Sequence, residues 1–278
     1  MNISERLFET AIQDLNSVEI LYSSKHYNLS LFQLQQSVEK FVKSFGIKTE
    51  IIKQDEIAKK ISHLPHKVFT RLYQNQIEEL SKYSGTPLLI PDMVPPHQRG
   101  KSKVKEDLEN LKGLLSKVSN SELLKIKEIP IDEIKGLIEG AKELEKEPIF
   151  DDDKLFTEFK DDLVKTNQHF KEYFKGDENI KNLSEGYINK SDLIAKNKVI
   201  IHKQNRIRQN KFGYISYVWI NLSLMTAPHE QSTRYPSIIN DENPINLYNE
   251  DHNIIKHIPE FVEMMRKSIE KYNAVYEK

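Results

Sequence analysis

Cysteine is absent from the 278 residues, which excludes disulfides, thiolate metal sites and cysteine nucleophiles and gives no support to an oxidising compartment. Glycine and proline are scarce, at 9 and 11, so little interrupts long helices. No apolar run reaches the ~20 residues of a membrane span; the longest apolar region, Phe212 to Ala227, is broken by Gly213, Ser216, Asn221, Ser223 and Thr226. The N-terminus carries Glu5, Glu9 and Asp14 and lacks the basic flank and continuous apolar stretch of a secretory signal. A cytoplasmic location without membrane partners is expected. Excess charge of either sign is also missing: 41 Lys+Arg face 42 Asp+Glu, a net of -1, so any attraction to nucleic acid must be local. There is no glycine-rich phosphate loop, no G-x-S-x-G elbow and no H-E-x-x-H pair, and no cofactor or metal is expected.

What is present is a helical period. With 38% hydrophobic residues and a mean hydropathy of -0.61, the chain is wet yet able to build a core. Its apolar residues recur every three or four positions, which predicts an all-α protein. A first helix over roughly 4 to 24, with Ser4 as N-cap, aligns Leu7, Ala11, Leu15, Val18 and Leu21. A second over roughly 28 to 45 carries Leu31, Leu34, Val38, Phe41, Val42 and Phe45, with Gly46 placed as its αL stop. The short link favours an antiparallel hairpin. Ser62-His63-Leu64-Pro65 offers a cap and first-turn proline for a third helix bearing Val68, Phe69, Leu72, Tyr73 and Ile77. Further helices are expected near 103–117, 131–145 and 153–174, then through FGYISYVWINLSLMTA to Pro228, and finally from Pro259 through Val275.

Pro87, Pro91, Pro95 and Pro96 fall within ten residues and mark an irregular connector. Charge is segregated as well. Residues 130–185 hold 16 Asp+Glu against 9 Lys, whereas Lys190–Lys211 holds seven Lys+Arg against Asp192 alone.

Residues 11–46, AIQDLNSVEILYSSKHYNLSLFQLQQSVEKFVKSFG, resemble the opening helix pair of HEPN domains. Ala11, Asp14 and Leu15 fit an A-x-x-D-L helix, and Phe32, Gln35, Gln36, Glu39, Lys40 and Lys43 fit a helix close to F-x-x-Q-Q-A-x-E-K-x-x-K, with Ser37 at its small position. Ser62-His63-Leu64 is similar to the family's T-H-x-L helix start, and the 222–236 segment to its histidine-to-Arg-Tyr-Pro segment. The resemblance implies an up-and-down helical bundle, here in two halves (1–85 and 191–278) around a helical insertion (86–190). It further implies homodimerisation and a role in prokaryotic defence or toxin–antitoxin systems. Many members cut RNA without a metal, through an Arg separated from a following His by four to six residues. A neutral imidazole takes a proton from a ribose 2′-OH while a guanidinium stabilises the phosphate. None of the seven arginines of this chain has a histidine at that distance downstream.

The nearest substitute is His229 with Arg234, the same residue types in reversed order beyond a helix end. The competing expectation pairs Arg234 with a carboxylate. His63 is a second catalytic candidate. His63 and His66 stand three apart, but metal binding needs a third ligand that the sequence does not identify. Gln35, Gln36, Glu39, Lys40 and Lys43 form a polar row, expected either between helices or at a dimer interface. Glu39 and Lys43 have the i,i+4 spacing that supports a helix. Lys196, Lys198, Lys203, Arg206, Arg208 and Lys211 lie in an acid-free stretch from Leu193 to His229. They offer either an RNA-binding strip or a surface for the acidic 130–185 segment. Trp219, Tyr214 and Tyr217 are expected in the core. Two functions follow: an RNA-acting or RNA-sensing protein, with a metal-independent endoribonuclease as its catalytic form, or a non-catalytic dimeric module whose insertion recruits a protein partner.

Overall fold

The computed structural model describes residues 2–84, 101–124, 128–173, 178–236 and 243–276. The proline connector at 87–96 lies outside the described residues. Among those described, all regular structure is helical: α1 (Ile3–Ser23), α2 (Tyr27–Lys48), a π-helix (Ile57–Ile61), α3 (His66–Ser84), α4 (Lys101–Ser119), α5 (Ile131–Glu145), α6 (Asp152–Tyr173), α7 (Glu178–Asn189), α8 (Ser191–Thr226), α9 (Pro244–Leu247), α10 (Asn253–Lys256) and α11 (Ile258–Tyr276). Short 3₁₀ turns occupy Glu122–Leu124 and Ala227–His229.

The chain divides into two compact units. The first comprises residues 1–77, 110–146 and 211–278; the second comprises 78–109 and 147–210. The boundaries therefore differ from an insertion at 86–190. Residues 110–146 carry a buried row, Ile129, Ile134, Leu137, Ile138 and Ala141, which joins the core of the first unit. Asn253 donates to the Ile129 carbonyl at 3.2 Å, and Gly140 passes so close to Tyr217 that a Cβ there would meet its hydroxyl at 2.1 Å. Conversely, 191–210 is amphipathic rather than apolar and belongs to the second unit.

In the first unit, α1 and α2 form the antiparallel hairpin. Its register is set by three serines one heptad apart on α2. Ser44 Oγ donates to Ser4 O at 2.8 Å, Ser37 Oγ to Ala11 O at 2.9 Å and Ser30 Oγ to Val18 O at 3.0 Å. Each serine is small enough for close helix approach and satisfies its own buried hydroxyl. Ser4 is thus inside the hairpin, and the α1 cap is Asn2: Glu5 N–H donates to Asn2 Oδ1 at 3.0 Å while Asn2 N–H donates to Glu5 Oε2 at 2.9 Å, a reciprocal capping box. Gly46 does not stop α2 either. It lies within the helix because a Cβ would come within 2.8 Å of Val68 Cγ1 and 2.9 Å of Ile52 Cγ1.

Against this hairpin pack the apolar end of α8 and the face of α11. The Phe41 and Trp219 rings stack at 5.9 Å, Phe45 meets Trp219 edge-on at 5.8 Å and stacks on Phe69 at 5.8 Å, and Trp219 lies 5.6 Å from Tyr272. Trp219 Nε1 donates to Ser268 Oγ at 2.7 Å, which supplies the partner a buried indole requires. Each such ring removes enough apolar surface to contribute about 1.5–3 kcal/mol, so the first and last thirds of the chain share one core. The expected core placement of Trp219 and Tyr214 is what the structure has.

The second unit is more polar. Lys203 Nζ reaches both carboxylate oxygens of Asp152, at 2.9 and 2.8 Å, and Lys160 pairs with Asp192 at 2.8 Å. Ala195 and Val199 are buried, while Leu193, Ile200 and Ile201 are exposed.

Candidate functional site

The sequence turns sharply between the π-helix and α3. Ser62 N–H donates to Ile57 O at 2.8 Å, closing the wide turn, and Ser62 then adopts φ 48°, ψ -126°. That is a costly conformation for a residue with a Cβ, of the kind found where surrounding contacts over-determine the backbone. The expected cap at Ser62 is therefore replaced: Ser62 ends the π-helix, and α3 begins at His66. Short π-helical segments often mark functional sites.

Glu56 anchors this turn. Its carboxylate accepts from Lys53 N–H at 2.9 Å, from Lys60 Nζ at 2.6 Å and from Arg71 Nη1 at 2.7 Å. The backbone donor first, then the two cations, hold its carboxyl down at about 2. His63 and His66 consequently part company. His66 is buried, its Nδ1 has no hydrogen-bond partner, and burial with Lys67 nearby brings its imidazole down to about 4. His63 projects outward with its side chain 58% exposed. No group of three His, Asp or Glu among the described residues is arranged to hold a metal.

His63 Nδ1 lies 3.4 Å from Glu39 Oε2 and 3.5 Å from Glu230 Oε1. Glu39 is the buried hub of the polar row on α2: Gln35 Nε2 donates to it at 2.9 Å and Lys43 Nζ at 2.6 Å, while Gln36 donates to Gln35 at 2.7 Å. Gln35, Glu39 and Lys43 are thus buried against one another within the chain. Lys40 instead pairs with Asp14 of α1.

Arg234 Nη2 donates to the same Glu230 Oε1 at 3.1 Å, its Nε donates to the Glu230 carbonyl at 3.2 Å, and its guanidinium lies over the Phe32 ring at 4.8 Å. The carboxylate pairing expected for Arg234 is the one seen. One carboxylate oxygen therefore brings together His63 and Arg234, which are 171 positions apart in the sequence. Asn28 of α2 fixes the loop by donating to Thr233 O at 3.0 Å.

His229 is placed differently. It is fully buried, with Nδ1 2.7 Å from the Tyr248 hydroxyl, which also shares a 2.6 Å hydrogen bond with Ser232. Its ring meets those of Tyr248 and His252 edge-on. A side chain so enclosed has no open face toward an RNA phosphate, so His229 and Arg234 do not form the expected pair. Sequence reasoning passed over Glu230 and Glu56. Only the i,i+4 spacing of Glu230 and Arg234 signals the first, and nothing local signals the second.

The six basic residues of α8 do not line one face. At about 100° per residue, Lys196, Lys203 and Lys211 fall on one side, Arg206 and Arg208 flank them on either edge, and Lys198 lies opposite. Lys203 is held by Asp152, as the competing internal account expects for one member of the strip.

The matched segment is the one that carries the α1–α2 hairpin, the π-helix, His63 and Glu39. Residues 4–87 match the HEPN domain. No curated protein and no solved structure matches the chain. The all-α architecture of the described residues accords with a HEPN helical bundle, and the HEPN segment supplies three of the five site residues, Glu39, Lys43 and His63. Glu230 and Arg234 come from beyond it. No helix among the described residues is long and apolar enough to cross a membrane.

Proposed function

We propose that the protein acts on RNA as a HEPN-type module of a prokaryotic defence or toxin–antitoxin system, working as a metal-independent endoribonuclease through His63 and Arg234. The observation that carries this reading is the convergence of an exposed imidazole and a guanidinium on one oxygen of Glu230, at the surface of the HEPN segment. In this chemistry His63 removes the proton from a ribose 2′-OH, and the oxygen attacks the adjacent phosphorus. The P–O5′ bond breaks, leaving a 2′,3′-cyclic phosphate and a 5′-oxyanion that takes a proton from solvent to become the 5′-hydroxyl, while the His63 imidazolium gives its proton back to solvent. Arg234, oriented by the Phe32 ring, stabilises charge on the phosphoryl oxygens. Glu39, itself fixed by Gln35 and Lys43, lies 3.4 Å from His63 Nδ1 and orients the ring beside Arg234. The basic residues of α8 add salt-dependent backbone contacts. Incubation of the purified protein with tRNA and total RNA at low salt, with chelator present, tests this. Cyclic-phosphate ends should appear and should be lost in His63→Ala and Arg234→Gln; absence of cleavage and of RNA retention removes the reading.

The second reading is a non-catalytic homodimeric module that recruits a protein partner. Leu193 and Ile200 favour it, being exposed at a seven-residue spacing on one side of α8. Mass by light scattering tests the dimer. Co-purification of a partner, lost in a Leu193→Glu, Ile200→Glu variant and unaffected by His63→Ala, would support this function over the first.

A further inference from the structure

We infer that Glu230 is an internal occupant of an anion seat, and that a phosphate must displace its carboxylate before the site engages a ligand. The inference rests on the proposed RNA function for its ligand, and on the geometry alone for the seat. A single oxygen, Glu230 Oε1, takes both Arg234 Nη2 at 3.1 Å and His63 Nδ1 at 3.5 Å. A bridging acceptor between a guanidinium and an imidazole is the position that a phosphoryl oxygen would take.

The charges agree. With Glu230 in place, Glu39 and Glu230 balance Lys43 and Arg234, and no formal positive charge is left to draw an anion. With Glu230 withdrawn, Lys43 and Arg234 outweigh Glu39. The seat also survives the loss of its occupant. Arg234 is held independently by its Nε bond to the Glu230 carbonyl and by the Phe32 ring, and His63 Nδ1 keeps Glu39 as a second acceptor at 3.4 Å. The contact from Glu230 to His63 is at the long limit of a hydrogen bond, so little holds that side closed.

The test is titration with inorganic phosphate, read by NMR of the His63 ring, in the full-length wild type and in Glu230→Gln. Because an occupied seat reduces apparent affinity by the fraction that is open, Glu230→Gln should bind phosphate about tenfold more tightly. Adding Arg234→Gln should abolish the gain. In the wild type, saturating phosphate should shift the His63 and Arg234 side-chain signals together, a readout that stands even if Glu230→Gln folds poorly. Equal affinity in wild type and Glu230→Gln, or wild-type signals of His63 and Arg234 that do not respond to phosphate, overturns the inference. The two readings fail separately. Tighter phosphate binding by Glu230→Gln with no RNA bound or cut by either protein keeps the seat and removes the RNA function. RNA cleavage by the wild type with no gain in Glu230→Gln does the opposite.

Discussion

His63 stands in a strained turn between the π-helix and α3 with its side chain 58% exposed, whereas His229 lies at 0% exposure against Tyr248. His63 follows the short π-helix, His229 closes the 3₁₀ turn after α8, and both sit near Glu230, one of them by direct sequence adjacency. What separates them is the backbone behind each. The φ of 48° at Ser62 turns His63 outward, while the 3₁₀ turn carries His229 inward to a phenol. Proximity in sequence to an arginine is therefore a poor guide to which imidazole can act. The direction in which the chain leaves the preceding helix decides it.

The widest gap between the two histidines is expected in activity. His63→Ala should lower RNA cleavage by about 10²–10⁴-fold and move stability by no more than about 0.5 kcal/mol, as for other exposed positions; initial rates and denaturant midpoints check both. His229→Ala should reverse this, costing about 2–4 kcal/mol through a cavity and the loss of the hydrogen bond to the Tyr248 hydroxyl. A soluble His229→Ala protein with unchanged midpoint would break the comparison.

A second buried imidazole, His66, sharpens it by pH. Its folded value of about 4 lies below the ordinary 6.5, so the unfolded chain binds the extra proton. Stability is fully present above about 6.5 and declines as pH falls towards 4, by on the order of 2 kcal/mol. His66→Leu should flatten that limb in urea titrations at pH 7, 5.5 and 4.5. Glu56, held down at about 2, should act lower: its contribution is present above about 4.5 and is lost between there and 2, and Glu56→Gln should remove that part of the acid limb. The smallest effect is expected from Tyr248→Phe, about 1–2 kcal/mol for the hydroxyl's hydrogen bonds to His229 and Ser232, with cleavage unaltered.

Much of the fold was legible because the hairpin faces obey the helical period. Leu15, Val18, Val38, Phe41 and Phe45 are core as their spacing requires, and the α5 row at 134, 137, 138 and 141 was visible too. Its membership in the first unit was not, since period identifies a buried face without naming what buries it. Ser4 and Gly46 misled for a related reason. Both residue types suit helix ends, but tight helix packing recruits the same small side chains. The candidate site was half legible. Arg234 and His63 stood out by type, whereas Glu230, which joins them, depends on a fold-back over 171 positions. No propensity marks the π-helix that presents His63.

The serines at 30, 37 and 44 act on α1 as a key acts on a lock with three pins. Sliding one helix by a single turn would strand every hydroxyl at once, while any one of them lost leaves two to hold alignment. The same rail that carries Gln35, Glu39 and Lys43 is thereby fixed lengthwise to better than a helical turn, so the charged cluster inherits its placement from contacts on the far side of its own helix. Enlarging Ser37 should therefore disturb the surroundings of His63 from a distance.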